Sequence, residues 1–196
     1  MASVTAGRLA TAADADELGK IIGDAFRHDP VSRWTLGTET AVAAVFAALT
    51  RELYLPRGHC LLDSGRGGTL WLCPGGRKTL SLPAQMRVSS RLLRHGGSLR
   101  RALAVDATLR RERPVEPHFY LFSVGVLPAA RGQGVAATLI RRTLAMADAI
   151  GLPAYLENSN PPNESLYRRL GFVPTKTFAP APGCPSVTGM WRGGRS

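Results

Sequence analysis

The chain has little of what a metal site, a disulfide framework or a membrane span requires. It holds three cysteines in 196 residues, Cys60, Cys73 and Cys184, an odd number without Cys-x-x-Cys spacing. Its four histidines are scattered. These features predict free thiols in a reducing cytoplasm and no bound metal. No apolar run reaches the ~18 residues of a membrane helix, and the first residues do not resemble a signal peptide. We expect no membrane contact.

Lysine is scarce, with three residues against 22 arginines, and the formal net charge is +11. Residues 87–113 hold eight arginines against only Asp106 and Glu112. Such a segment suits nucleic acid, an anionic membrane or an anionic ligand, and equally a solvated helix in an arginine-rich chain. The segment has no aromatic residue and no nucleic-acid-binding motif. We therefore favour the solvated helix and do not expect nucleic acid as a partner.

Periodicity predicts helices and strands that alternate along one domain, residues 1–196. Helical spacing occurs at 13–27, 40–55, 83–113 with a break at Gly96-Gly97, 134–150 and 163–170. Strand-like runs occur at 4–11, 60–63, 69–73, 118–126, 154–159, 172–178 and 186–192. Asp29-Pro30 is predicted to end the first helix. This order indicates an α/β class with a mixed sheet and one β-loop-α-β unit.

The most informative segment joins the strand at 118–126 to the helix at 134–150. It reads Arg131-Gly132-Gln133-Gly134-Val135-Ala136. The first N–H groups of a helix have no partner within it, and the positive end of the helix dipole lies there. The two glycines let the backbone approach a ligand, and the arginine adds a charged donor. This chemistry predicts a pyrophosphate site, with a plain turn and helix cap as the alternative.

The usual phosphate loops do not fit this segment. A Walker loop needs Gly-Lys-Ser/Thr, and no lysine lies nearby. A Rossmann loop needs a third glycine and an acidic residue that begins a second strand. The segment instead resembles the acetyl-CoA loop of the GNAT superfamily of N-acetyltransferases, Arg/Gln-x-x-Gly-x-Gly/Ala.

A second motif supports the same resemblance. Residues 160–172 read Asn-Pro-Pro-Asn-Glu-Ser-Leu-Tyr-Arg-Arg-Leu-Gly-Phe. The family carries an Asn before a short helix, then Tyr, two residues and Leu-Gly-Phe. Asn163 suits the N-cap of this helix and Gly171 suits its left-handed end. Both motifs occur in the right order, so the resemblance covers residues 116–178.

Within the superfamily, the chain looks most like the puromycin N-acetyltransferase-type branch. The shared residues are Ala-Phe at 25–26, Asp-Pro at 29–30, Glu-Pro at 116–117, Phe-Ser-Val-Gly-Val at 122–126 and Leu-Glu-Asn-Ser at 156–159. One position is open between two residues. The wider family often places its Asn seven residues before the Tyr, at Asn160, whereas the branch pattern points to Asn163, which we favour.

The resemblance implies a GNAT-like acyl-CoA N-acyltransferase fold: a splayed, mostly antiparallel sheet flanked by helices, split between its fourth and fifth strands. It also implies acetyl-CoA as the cosubstrate. Its pantetheine arm would lie along 118–126 at Val124 and Val126, its pyrophosphate at 131–136, and Asn163 would be a further contact. Gly125 would suit a bulge that opens this strand. Without the resemblance, both valines are equally well explained as core residues.

Two residues are candidates for proton transfer. The resemblance makes Tyr167 the general acid for the leaving thiolate, because a phenol keeps its proton at neutral pH. Its alternative role is an anchor for the last helix. Glu157 is the nearest carboxylate in sequence and could deprotonate the incoming ammonium. It could equally pair with Arg168 or Arg169.

The resemblance places Phe26, Asp29 and Trp34 in the loop that lines the acceptor site, with Asp29 as a second candidate base. Tyr120 is another candidate wall of this site, and both Tyr120 and Trp34 have a core role as the alternative. The expected function is acetyl transfer from acetyl-CoA to a primary amine of a small molecule, an antibiotic or a metabolite.

Other functions stay open. The acceptor could be a protein N-terminus or a lysine side chain. The chain could be a nucleic-acid-binding module, or it could bind CoA without catalysis, although Asn163 and Tyr167 are both present. A homodimer is compatible with the resemblance.

Overall fold

The structure is a computed structural model that describes residues 7–76 and 79–194. One sheet contains seven strands: β1 Arg8–Leu9, β2 His59–Asp63, β3 Gly67–Leu72, β4 Phe119–Val126, β5 Ala154–Asn158, β6 Val173–Phe178 and β7 Val187–Arg192. Their order is β1-β2-β3-β4-β5-β7-β6. Only β4 and β5 run parallel, and the other neighbours are antiparallel. The predicted mixed, mostly antiparallel sheet is confirmed.

Helices flank this sheet. In the described parts of the chain they are α1 Ala15–Phe26, α2 Pro30–Leu36, α3 Glu39–Leu49, α4 Leu55–Arg57, α5 Leu82–Arg94, α6 Leu99–Glu112, α7 Val135–Ala149 and α8 Glu164–Arg169. The break predicted at Gly96-Gly97 separates α5 from α6. The predicted first strand is observed only at Arg8–Leu9, and residues 4–6 of that prediction lie outside the described residues. None of the helices described is long and apolar enough to cross a membrane.

Two helical regions differ from the sequence prediction. Asp29-Pro30 ends α1 as expected, but it also starts α2, because the Asp29 carboxylate accepts a hydrogen bond from the Ser32 N–H at 2.8 Å. The predicted helix over 40–55 leaves α-helical geometry after Leu49 and continues as a π-helical turn, Thr50–Tyr54. This turn buries Tyr54 completely.

The separation of β4 from β5 positions the site. These strands pair at Phe119↔Ala154, Tyr120↔Tyr155 and Leu121↔Leu156, and the structure records no later pair in these described strands. β3 still pairs with β4 as far as Val126. One edge of β4 beyond Leu121 therefore presents backbone N–H and C=O groups to a gap instead of a neighbouring strand.

A β-bulge begins this separation. Leu70 lies opposite Ser123, while the next residue, Trp71, lies opposite Leu121, so Phe122 is the extra residue on β4. The bulge reverses the direction of the side chains that follow it. Phe122 packs with the core under α1 and α3, whereas Val124 packs with the core under α7. The bulge is therefore at Phe122, and the prediction at Gly125 was wrong.

Gly125 serves close packing instead. A Cβ atom at this position would lie 3.0 Å from the Ala25 Cβ and 3.0 Å from the Ile21 carbonyl oxygen, both on α1. Because glycine has no Cβ, α1 can lie directly against β4. This contact brings the end of α1 to the mouth of the gap.

Candidate active site

The gap between β4 and β5 opens into a cleft of about 560 Å³, which is within the size range of small-molecule sites. Its walls come from β4, the end of β5, α8 and the turn between α1 and α2. Nine of the residues predicted from the sequence line this cleft: Phe26, Asp29, Val124, Val126, Arg131, Ala136, Glu157, Asn163 and Tyr167. The structure therefore brings both predicted proton-transfer residues to one cavity.

The loop before α7 has the geometry expected of an anion site. Gly132 and Gly134 have φ of +74° and +78°, in the left-handed region that glycine tolerates best. A Cβ on either residue would have no atom within 4 Å, so backbone conformation is the reason for glycine here. Gly134 is the N-cap of α7 and has no side chain to satisfy the first N–H groups.

Two side chains of this loop have structural partners. The Gln133 amide donates to the Ala129 carbonyl at 2.8 Å, and its oxygen accepts from Arg66 at 3.0 Å. Val135 is buried against Leu61 and Leu139. What these two residues offer a ligand is therefore their backbone, in agreement with a site built from N–H groups.

Both asparagines before α8 line the cleft. Asn163 makes no capping hydrogen bond with its side chain, because a short 3-10 turn, Pro161–Asn163, leads directly into α8. Asn163 thus stands at the predicted N-cap position, but its side chain makes no capping hydrogen bond. Its amide lies in the cleft lining, and so does that of Asn160, so the geometry keeps both as candidate contacts.

Tyr167 is buried in the core under α7 and still reaches the cleft. Its ring packs edge-to-face on Phe172, with 6.2 Å between centroids. Burial raises the pKa of Tyr167, and the negative charge of Asp29 raises it further. The phenol therefore stays protonated at neutral pH, as a general acid must.

Asp29 ties α2 to the end of β5. One of its carboxylate oxygens caps α2 through Ser32, and the other accepts a hydrogen bond from the Ser159 hydroxyl at 2.5 Å. Asp29, Ser159 and Tyr167 all line the cleft. Asp29 thus holds the start of α2 against the end of β5.

Glu157 lies in a buried polar cluster on the other side of the site. Its carboxylate accepts a hydrogen bond from the Tyr120 hydroxyl at 2.7 Å, and its other oxygen lies 3.8 Å from Nε of Arg113. Only 6% of the Glu157 side chain is exposed. Of the two alternative partners, Arg168 pairs with Glu164 at 2.7 Å.

Arg113 is a buried neighbour of Glu157 that the sequence analysis did not predict. It belongs to the basic segment at 87–113, but its side chain is only 14% exposed. Its guanidinium carbon lies 3.5 Å from the centre of the Tyr120 ring. Burial opposes its charge, but its electrostatic interactions with Tyr120 and Glu157 outweigh burial and raise the pKa of Arg113. A charged guanidinium therefore faces Glu157 inside the protein.

The remaining arginines of that segment lie at the surface, as expected of a solvated helix pair. Arg87 pairs with Glu52 at 2.6 Å, Arg110 with Asp106 at 3.3 Å and Arg111 with Glu112 at 3.1 Å. Nothing in the sequence separates Arg113 from these neighbours, because its partners come from β4 and β5.

Two predicted acceptor-site residues do not line the cleft. Trp34 packs against Val105 and Val187 and lies beneath Arg101, whose guanidinium carbon is 4.8 Å from the ring centre. Tyr120 is buried in the core and reaches the site through its hydrogen bond to Glu157. Both aromatic residues therefore pack in the core, which is the alternative role considered for each of them.

A second cavity, of about 440 Å³, lies between α2, α3, α5 and α6. Phe122 lines both this cavity and the cleft. Its ring stacks on Tyr54 at 4.5 Å and on Phe46 at 5.7 Å between centroids. The bulge residue of β4 is thus the common wall of the two cavities.

Comparisons with known proteins agree with this geometry. The model of the acetyltransferase (GNAT) family matches residues 104–172, which contain the glycine loop, Glu157 and Tyr167. A Corynebacterium glutamicum structure described as histone acetyltransferase HPA2 and related acetyltransferase has 24% sequence identity, covers 96% of both chains and has a TM-score of 0.70.

Two further structures share the fold at lower identity. An N-acetyltransferase from Staphylococcus aureus is 14% identical and has a TM-score of 0.59. The match covers 94% of this chain and 98% of the Staphylococcus aureus chain. A mosquito arylalkylamine N-acetyltransferase like 5b is 11% identical, with 94% and 97% covered and a TM-score of 0.58. The family model thus matches the segment that contains the site, and these structures share the fold over nearly the whole chain.

Proposed function

We propose that the chain transfers the acetyl group of acetyl-CoA to a primary amine of a small molecule by direct attack of the amine. The observation that carries this proposal is the gap between β4 and β5, because Tyr167 and Glu157 line the same cleft as the open backbone edge of β4. An open strand edge offers N–H donors to a carbonyl oxygen on which negative charge develops.

The residues around the cleft fit acetyl-CoA, which would supply the activated acetyl thioester. The backbone of residues 131–136 and the Arg131 guanidinium would hold the pyrophosphate. The β4 backbone at Val124 and Val126 would hold the pantetheine arm, with the amide of Asn163 or Asn160 as a further contact. Support for this fit comes from the left-handed glycines, which leave the loop without side-chain obstruction.

Tyr167 and Glu157 would move the protons of the reaction. Glu157 takes a proton from the ammonium, and the neutral nitrogen forms a bond to the acetyl carbon. The carbon–sulfur bond breaks as Tyr167 gives its proton to the sulfur. The attacking nitrogen loses its second proton to solvent, solvent reprotonates Tyr167 and Glu157 releases its proton to solvent. The products are therefore the acetyl amide, the free thiol and one proton. The raised pKa of Tyr167 supports its role as the acid.

A small-molecule acceptor follows from the likeness to the puromycin-type branch in the two motifs. The structural neighbours include a protein described as an arylalkylamine N-acetyltransferase and one described as a histone acetyltransferase. A lysine or protein N-terminus is therefore the alternative acceptor to be tested beside small amines.

The test is release of free thiol from acetyl-CoA across a panel of acceptors. The panel contains puromycin, arylalkylamines, short alkylamines, a lysine-rich histone-tail peptide and a peptide with a free N-terminus. We expect turnover with small primary amines, with the acetyl amide identified by mass spectrometry. Turnover confined to the peptides would contradict the small-molecule assignment. If no acceptor in the panel raises thiol release above the acceptor-free background, the proposed function itself is contradicted.

A further inference from the structure

We propose that the second cavity, between α2, α3, α5 and α6, binds the apolar body of the acceptor amine. The substrate class would then be a primary amine attached to an aromatic ring or a long aliphatic chain. This inference rests on the proposed acetyl transfer, because the amino group must reach the cleft while the rest of the molecule occupies the second cavity.

The wall chemistry of this cavity favours an apolar occupant. Large apolar side chains from four helices face it, among them Leu36, Phe46, Leu49, Val88, Leu92, Val105 and Leu109. The charged residues among its described lining are Asp106 and Arg110, which pair with each other at 3.3 Å. A polyamine or an amino acid would bring unmatched charge into this cavity, and burying unmatched charge is costly.

The cavity adjoins the reaction site at the bulge on β4, where Phe122 lines both. Phe122 directs its ring toward Phe46 and Tyr54, while its neighbours Leu121 and Ser123 line the cleft. The bulge is also where β4 leaves β5, and the open backbone edge begins there. A molecule that lies against the Phe122 ring therefore sits next to the start of that edge.

The helix α6 links the cavity to Glu157. Leu109 and Arg110 line the cavity, and Arg113, about one helical turn further on, reaches the Glu157 carboxylate. The Tyr54 hydroxyl, fully buried beside Phe122, has no hydrogen-bond partner among the described residues. Apolar walls that end beside a buried carboxylate and an unsatisfied hydroxyl match a molecule with one amino group on an apolar body.

A series of primary amines tests this inference. Wild-type protein is assayed with alkylamines from methylamine upward, and with benzylamine and phenethylamine, at saturating acetyl-CoA. Each buried methylene is expected to raise kcat/KM by up to about fourfold, until the chain fills the cavity. An uncharged analogue such as ethylbenzene should compete with the amine and not with acetyl-CoA.

A filled cavity provides the matched variant. Ala102→Phe places a ring in the cavity from α6, whereas Ala104→Phe places the same ring on the exposed face of the same helix. We expect Ala102→Phe to lower kcat/KM for phenethylamine by more than tenfold and to leave methylamine turnover unchanged. Ala104→Phe should change neither. Ser89→Leu fills the cavity from α5 and serves as the second variant if Ala102→Phe does not fold.

The outcomes distinguish a failure of the cavity assignment from a failure of the proposed acetyl transfer. Acetylation of amines with no dependence on chain length, or equal loss for methylamine and phenethylamine in folded Ala102→Phe and Ser89→Leu, would overturn the cavity assignment and leave the acetyltransferase intact. Absence of turnover with every amine would instead overturn the proposed function.

Discussion

Glu157 and Tyr167 are both buried, yet their surroundings favour opposite forms. Tyr167 lies among apolar side chains with Asp29 nearby, so its neutral form is favoured. Glu157 faces the Arg113 guanidinium and accepts the Tyr120 hydroxyl, and both contacts favour a carboxylate. Two titratable groups whose surroundings push their pKa values apart are the usual arrangement of an acid and a base in one site.

This arrangement gives Arg113 a positioning role that a pH profile can detect. Replacing Arg113 with Gln removes a positive charge 3.8 Å from Glu157. The carboxylate then loses its charged partner, so the acidic limb of the kcat/KM profile should move to higher pH. Arg113→Lys keeps the charge and should keep the limb close to its wild-type position.

The measurement is kcat/KM for one active amine between pH 5 and pH 9, with the fold of each variant checked by circular dichroism. A residue that only supports the core would lower stability in both variants and would not move the limb. An unchanged pH profile in folded Arg113→Gln would therefore contradict the positioning role of Arg113.

At the scale of elements, the site depends on two departures from regular structure. The bulge at Phe122 opens β4, and the two left-handed glycines turn the chain into α7 without a side-chain cap. Both leave backbone N–H groups without a partner strand or helical turn, so that a ligand can accept hydrogen bonds from them. The unpaired groups are therefore the best structural argument for a cosubstrate at this place.

The loop predicts a specific response to substitution at Gly134. Gly134→Asp should abolish acetyl-CoA binding, because a carboxylate would lie against the pyrophosphate at the helix N-terminus. Gly134→Asn is the matched control, since Asn tolerates the left-handed conformation about as well as Asp and carries no charge. A Cβ here meets no atom within 4 Å, so crowding does not separate the two variants.

Thermal unfolding with and without acetyl-CoA measures this response. A ligand at 100 times its Kd stabilises the folded state by about 2.7 kcal/mol, so wild-type and Gly134→Asn protein should show a raised Tm. Folded Gly134→Asp protein with the same Tm shift as wild type would argue against the loop as the pyrophosphate site.

The sequence predicted the elements of this fold well and their irregularities poorly. Helical periodicity gives α1 and α7 within about two residues, because each buries one apolar stripe. The bulge at Phe122 could not be predicted, because it is a register shift against a strand that lies about 50 residues earlier. The start of α2 did carry a signal, since Asp29 followed by Pro30 fits an N-cap and first helical residue.

The same limit applies to the site. The two motifs give the loop and Tyr167 because their residues are consecutive or nearly so. Arg113 was not found because a buried arginine and a surface arginine look alike in a basic helix, and its partner Glu157 is distant in sequence. The second cavity was not predicted either, because the packing of α5 and α6 against α2 and α3 creates it.

For the molecule as a whole, the net charge of +11 includes a coat of surface arginines within residues 87–111. Arg113 lies buried at the site, and Arg192 lies buried beside Asp148. We expect the coat to matter little for chemistry. Replacing the exposed Arg91, Arg94, Arg100 and Arg111 with Gln should leave turnover and CoA affinity within a few-fold. DNA binding by the wild type that is tight, steeply salt-dependent and lost in this variant would favour the nucleic-acid alternative.

The most direct test of the central claim is Tyr167→Phe, assayed by steady-state thiol release with an active amine and by separate measurement of CoA binding. The ring stays, so its packing on Phe172 survives, and only the proton donor is lost. We predict that kcat falls by about 100- to 10,000-fold while CoA affinity is unchanged. Wild-type turnover, or lost CoA binding in a folded variant, would contradict the account of this cleft as the site of acetyl transfer.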